Sequence, residues 1–173
     1  MTTDHDQKGQ DLIAAAARGD TPAIQSLLAS GADPNARNPH GYTSLIYAAN
    51  RGDTGAVKAL IEAGAEVDAS NEHGMTALMR AAFSEKTSNL LALIEAGASL
   101  DAEDLNGQTA LVWARKTGRE EHVKILLRVG ATDVPRKKDD TIARLKSKEQ
   151  RGPEQKAGRS LLSKLGRLFR IDG

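Results

Sequence analysis

Apolar doublets mark the chain at intervals of 33 residues: Leu27-Leu28, Leu60-Ile61, Leu93-Ile94 and Leu126-Leu127. Small and polar residues between them keep the same step. Gly41, Gly74 and Gly107 form one column, Thr43, Thr76 and Thr109 a second, and Leu45, Leu78 and Leu111 a third. A fourth holds Ala48-Ala49 and Ala81-Ala82 and weakens to Ala114-Arg115. Gly31, Gly64, Gly97 and Gly130, each followed by alanine, make a fifth. Self-similarity at a fixed period signals stacked repeats, in which each unit buries its apolar stripe against the next and no unit is stable alone.

Each column predicts a local structure. Threonine offers a side-chain oxygen to the unpaired amides at the start of a first helix. The alanine pair lets a second helix approach closely. The glycine before each alanine ends that second helix in a left-handed conformation which only glycine adopts cheaply. Thr21-Pro22 reads as the N-cap and first residue of the second helix in unit one. Glu85 stands where Gly19, Gly52 and Gly118 stand in the other units. A left-handed glutamate costs about 1 kcal/mol or more, so the turn within residues 83–88 is expected to take a different conformation.

This pattern resembles the ankyrin repeat, a 33-residue unit of a hairpin-like turn and two antiparallel helices. The resemblance covers residues 7–133, with units at 7–37, 38–70, 71–103 and 104–133. It implies an all-α fold: a solenoid of stacked helix pairs with finger loops. The family's T-P-L-H-x-A motif stands here as "TSLIYA", "TALMRA" and "TALVWA". Ile46, Met79 and Val112 fill its histidine column, so packing is expected in place of a polar network.

Outside the repeats the pattern changes. Residues 1–6 are polar and expected to be disordered. Residues 134–150, in which Asp139, Asp140 and Thr141 precede Ile142 and Leu145, read as a partial repeat capping the last unit. A linker at 151–158 is followed by a basic amphipathic helix at 159–170. There Leu161, Leu162, Leu165, Leu168 and Phe169 form one stripe, with Lys164, Arg167 and Arg170 opposite.

Charge divides at the same place. Residues 1–133 carry 12 Lys plus Arg against 18 Asp plus Glu, net −6, and residues 134–173 carry 12 against 5, net +7. Direct nucleic-acid binding is not expected, because the acidic repeats repel phosphates. The chain has no cysteine, which excludes disulfides, thiolate metal sites and cysteine nucleophiles. With no basic, apolar leader and no run of about 18 apolar residues, the reading is a cytoplasmic protein, expected to be monomeric.

Only five residues are aromatic, and four of them fall in outward columns of the repeats. Tyr47, Arg80 and Trp113 share the x of the motif, which in ankyrin domains projects onto the concave face. Tyr42, Met75 and Gln108 follow the finger glycines, and Phe83 and Lys116 share the column after the alanine pair. Together with Arg51 these nine residues form the expected partner-binding surface, since Tyr, Trp and Arg dominate interface hot spots. A stack of Tyr47, Arg80 and Trp113 would also gain cation–π stabilisation. In the tail, Leu161, Leu162, Lys164, Leu165, Arg167, Leu168 and Phe169 are the expected recognition residues. Their apolar face suits a second partner, an anionic membrane surface or the chain's own repeats.

Catalytic chemistry is absent from the pattern. His5, His40, His73 and His122 fall on different faces, although His40 and His73 occupy equivalent positions in adjacent fingers. Asp68, Asp101, Glu103 and Asp104 cluster at finger bases, where carboxylates accept turn hydrogen bonds. No phosphate loop, nucleophile elbow or H-E-x-x-H helix occurs. No cofactor and no metal are expected. The sequence therefore reads as a non-enzymatic interaction adaptor or regulator, with a membrane-peripheral tether acting through the tail as the alternative.

Overall fold

The computed structural model describes residues 4–51 and 53–132, with side chains from Asp6 onward. The expected capping repeat, linker and tail helix lie outside the described residues. Among those described there are eight helices and no strand: α1 (Asp4–Arg18), α2 (Thr21–Ala29), α3 (Ser44–Arg51), α4 (Thr54–Glu62), α5 (Ala77–Phe83), α6 (Thr87–Glu95), α7 (Ala110–Lys116) and α8 (Glu120–Arg128). Helix α1 starts at Asp4, earlier than the expected disordered start allows.

The helices pair as α1·α2, α3·α4, α5·α6 and α7·α8, and the pairs stack. First helices pack in the order α1, α3, α5, α7 and second helices in the order α2, α4, α6, α8. The core between the two layers is aliphatic and small: Leu12, Ile24, Leu45, Leu60, Leu78, Leu93, Leu111 and Leu126 are fully buried, with the alanine pairs between them. Ile46 and Met79 are buried as well, so packing does replace the polar network in units two and three of that column; Val112 of unit four is half-buried.

Threonine caps as expected. Its Oγ1 accepts from the amide three residues on at Thr43 (3.3 Å), Thr76 (3.4 Å) and Thr109 (3.4 Å). Thr21 does not cap. Asp20 is the N-cap of α2, its carboxylate accepting from the Ala23 amide at 3.1 Å. A carboxylate suits the positive end of a helix better than a hydroxyl, which leaves Thr21 Oγ1 to donate to Asp53 in the next unit. The turn of unit three differs, as its missing glycine predicted. Thr117 closes α7 at φ −96°, ψ 2° and passes the reversal to left-handed Gly118. Ser84 closes α5 in extended backbone at φ −67°, ψ 172°, its hydroxyl donating to the Ala81 carbonyl at 2.9 Å.

Fingers join the units. Asn38 Oδ1 accepts from the amides of His40 and Tyr42, Asn71 Oδ1 from those of His73 and Met75, and Asp104 Oδ1 from those of Asn106 and Gln108, all at 2.8–3.0 Å. Consecutive tips are tied by backbone bonds, Glu72 N to His40 O at 3.2 Å and Leu105 N to His73 O at 2.9 Å. Gly74 is required twice over: its φ is +75°, and a Cβ there would lie 3.0 Å from the Asp104 Cα. Behind the tips, Asn35, Asp68 and Asp101 accept from the amides of Glu66, Ser99 and Thr132 in the following unit.

Candidate interaction surface

Helices α3, α5 and α7 bring the expected residues into one row. Positions three and four apart on a helix share a face, which places Tyr47 with Arg51, Arg80 with Phe83, and Trp113 with Lys116. Finger residues Tyr42, Met75 and Gln108 line the same side, and all three are half-buried. Tyr47, Arg80 and Trp113 are half-buried too, whereas Arg51, Phe83 and Lys116 are exposed.

The rings pair differently from the expected column stack. Tyr47 lies on Tyr42, with centroids 5.1 Å apart and planes 26° from parallel. Trp113 meets the edge of Phe83 at 6.2 Å and 75°. The cation over Trp113 is Lys116, with Nζ 5.9 Å from the ring centroid, and not Arg80. Neighbouring helix axes lie about 8–10 Å apart. The two rings of that column, Tyr47 and Trp113, stand on either side of the helix that carries Arg80, and each pairs instead with a ring from a finger or from the neighbouring column.

Hydrogen bonds fix the geometry around Trp113. Lys116 Nζ donates to Gln108 Oε1 at 2.8 Å, and Trp113 Nε1 donates to Asp104 Oδ2 at 3.1 Å. Asp104 thus serves the finger amides with one oxygen and the indole with the other. Its role as a brace for Trp113 was not legible in the sequence, although its place in the column of Asn38 and Asn71 signalled the turn. Arg80 Nε is buried and has no hydrogen-bond partner.

His40 and His73 do come together, across a carboxylate. Glu72 Oε1 lies 3.0 Å from His40 Nδ1 and 3.6 Å from His73 Nε2 at the exposed finger tips. Among the described residues no group of three or more His, Cys, Asp or Glu side chains is arranged to hold a metal ion. His122 is elsewhere, buried in α8, with Nδ1 3.1 Å from the Ala82 carbonyl of the preceding unit. Asn89 occupies the equivalent position in α6 and donates through Nδ2 to the carbonyls of Ala48 and Ala49 at 3.2 and 3.1 Å. The only signal for these two was their column, where units one and two have Ala23 and Ala56.

The Thr21 hydroxyl holds Asp53 below the usual aspartate range, aided by the Gly55 and Ala56 amides and Lys86, while burial opposes the shift. Among the described residues no helix is long and apolar enough to cross a membrane. The tail residues Leu161, Leu162, Lys164, Leu165, Arg167, Leu168 and Phe169 lie outside the described residues.

A family model described as "Ankyrin repeats (3 copies)" matches residues 12–104, and one described as "Ankyrin repeat" matches residues 106–140. No curated protein matches the chain.

Proposed function

Since the chain belongs to the ankyrin repeat family, whose repeats form a protein-interaction fold, we propose that it is a cytoplasmic, non-enzymatic adaptor. It binds a protein partner through the row on α3, α5 and α7 and the adjoining fingers. The observation that carries this reading is the gathering of all four aromatic residues of the repeats into two ring pairs on that side, with Tyr42, Tyr47 and Trp113 partly buried against the core and Phe83 exposed. Partly exposed rings held by ring contacts, and Trp113 also by its bond to Asp104, give large contact area at little entropic cost.

The test is affinity capture with the full chain, repeated with a variant carrying Tyr47→Ala, Arg80→Ala and Trp113→Ala together. Hot-spot truncations each lose about 2 kcal/mol or more in affinity, so a specifically captured partner should disappear while far-UV circular dichroism still shows a helical fold. Undiminished capture by the folded variant would move the binding role to another part of the chain.

A further inference from the structure

Charge is segregated within the repeats. Helices α3, α5 and α7 contain Arg51, Arg80, Arg115 and Lys116 and no Asp or Glu, inside a region of net charge −6. The acids lie on other elements, and many of them are engaged. Asp20 and Asp53 cap second helices, and Asp33, Asp68, Asp101 and Asp104 accept from finger amides. Glu66, Glu72, Glu85 and Glu121 face Arg37, the two histidines, Arg119 and Lys124. In contrast, no ion pair among the described residues holds Arg51, Arg80 or Lys116, and the Nε donor of Arg80 is buried without an acceptor. Three cations therefore alternate with Tyr47, Phe83 and Trp113 along one row, lacking counter-charge.

We infer that this row takes an acidic segment of a partner protein in which carboxylates alternate with apolar side chains. The inference rests on the partner-binding reading above and names the chemistry of that partner. Carboxylates would meet the guanidinium groups of Arg51 and Arg80 in the fork geometry that arginine offers. Apolar side chains would lie on the rings between them. One finger acid, Asp104, lies against the row, but its oxygens are occupied by the Asn106 and Gln108 amides and by the Trp113 indole, while exposed charges beyond about 8 Å are largely screened at physiological salt. The chain's own residues 134–173 are a poor occupant, since their net charge of +7 has the sign of the row.

The experiment uses the isotope-labelled full chain and three pools of short synthetic peptides. In each pool Leu or Phe alternates with a second type: Asp or Glu, their amides Asn or Gln, or Lys and Arg. The acidic pool should shift the amide resonances of α3, α5 and α7 and the Trp113 indole, and bind about tenfold more tightly than the amide pool, as a few partly exposed charge pairs allow. Raised salt should narrow that preference. Arg51→Gln with Arg80→Gln should abolish most of it, and Arg51→Gln alone, at an exposed position, should reduce it in a chain whose fold is unchanged. Equal binding of the acidic and amide pools along the row overturns the acidic inference and leaves the partner-binding surface standing. Preference for the basic pool, or no shift along the row from any pool, overturns the inference outright.

Discussion

Units one and two hold their second helices differently from units three and four. Helices α2 and α4 begin with Asp20 and Asp53, each accepting a hydrogen bond from an amide of its own first turn, and the third helical residue is a small alanine, Ala23 or Ala56. Helices α6 and α8 begin with Lys86 and Arg119, which make no capping bond and place positive charge at the positive end of the helix dipole. Their third residues are Asn89 and His122, both buried, and both reach the last carbonyls of the preceding unit's first helix. Those carbonyls lack intrahelical partners. One backbone plan is thus secured locally in one half and across the unit boundary in the other, so the loss of a cap need not mean the loss of a helix.

Removing the buried reach should have the largest effect. Asn89→Ala would strand two buried carbonyls and leave a void, a loss of about 2–3 kcal/mol, read as a lower urea midpoint at unchanged slope. A shift under about 0.5 kcal/mol would place the support of α6 in its apolar stripe alone.

Removing a local cap should cost less. Asp53→Ala is expected to lose about 1 kcal/mol at neutral pH. The pH dependence has a definite sign. The folded carboxyl binds its proton less readily than the unfolded one, so its stabilisation is complete above the ordinary aspartate range and disappears as pH falls through the lower folded value. The variant's deficit should therefore shrink in acid. A deficit constant from neutral pH into strong acid would assign the effect to packing.

The smallest change tests whether the second half can accept the first half's device. Lys86 has φ −98° and ψ 117°, close to the −92° and 102° of Asp53, so its backbone is already set for a cap. Lys86→Asp should gain about 0.5 kcal/mol, the benefit trimmed by the lost attraction between Lys86 and Asp53. A loss of stability would show that the two halves are not interchangeable at this position.

The repeat was legible because its columns are set by local physics that recurs every unit: threonine at a helix start, glycine at a helix end, alanine where helices touch. Even the aberrant turn at Ser84 could be read from one missing glycine. Asn89 and His122 could not, because a polar residue in the first turn of a helix ordinarily faces water, and only the stacked neighbour makes that site buried. The cap of α2 was misplaced by one residue because Thr21 and Asp20 both suit an N-cap; the carboxylate takes it, and Thr21 turns to Asp53 of the next unit. On the proposed surface the columns named the residues, whereas the ring pairings run between columns, Tyr47 with finger residue Tyr42 and Trp113 with Phe83 of the preceding first helix.

Trp113 is the chain's one tryptophan, held by Asp104, edged by Phe83 and overlain by Lys116. The protein therefore carries its own optical probe at one end of the row. Indole emission responds to the polarity and charge around the ring, so an occupant that lifts Lys116 or covers Phe83 would change it without any label. Loss of the Asp104 bond alone would loosen the same ring while the repeats stay folded, making emission a gauge of local order distinct from helix content.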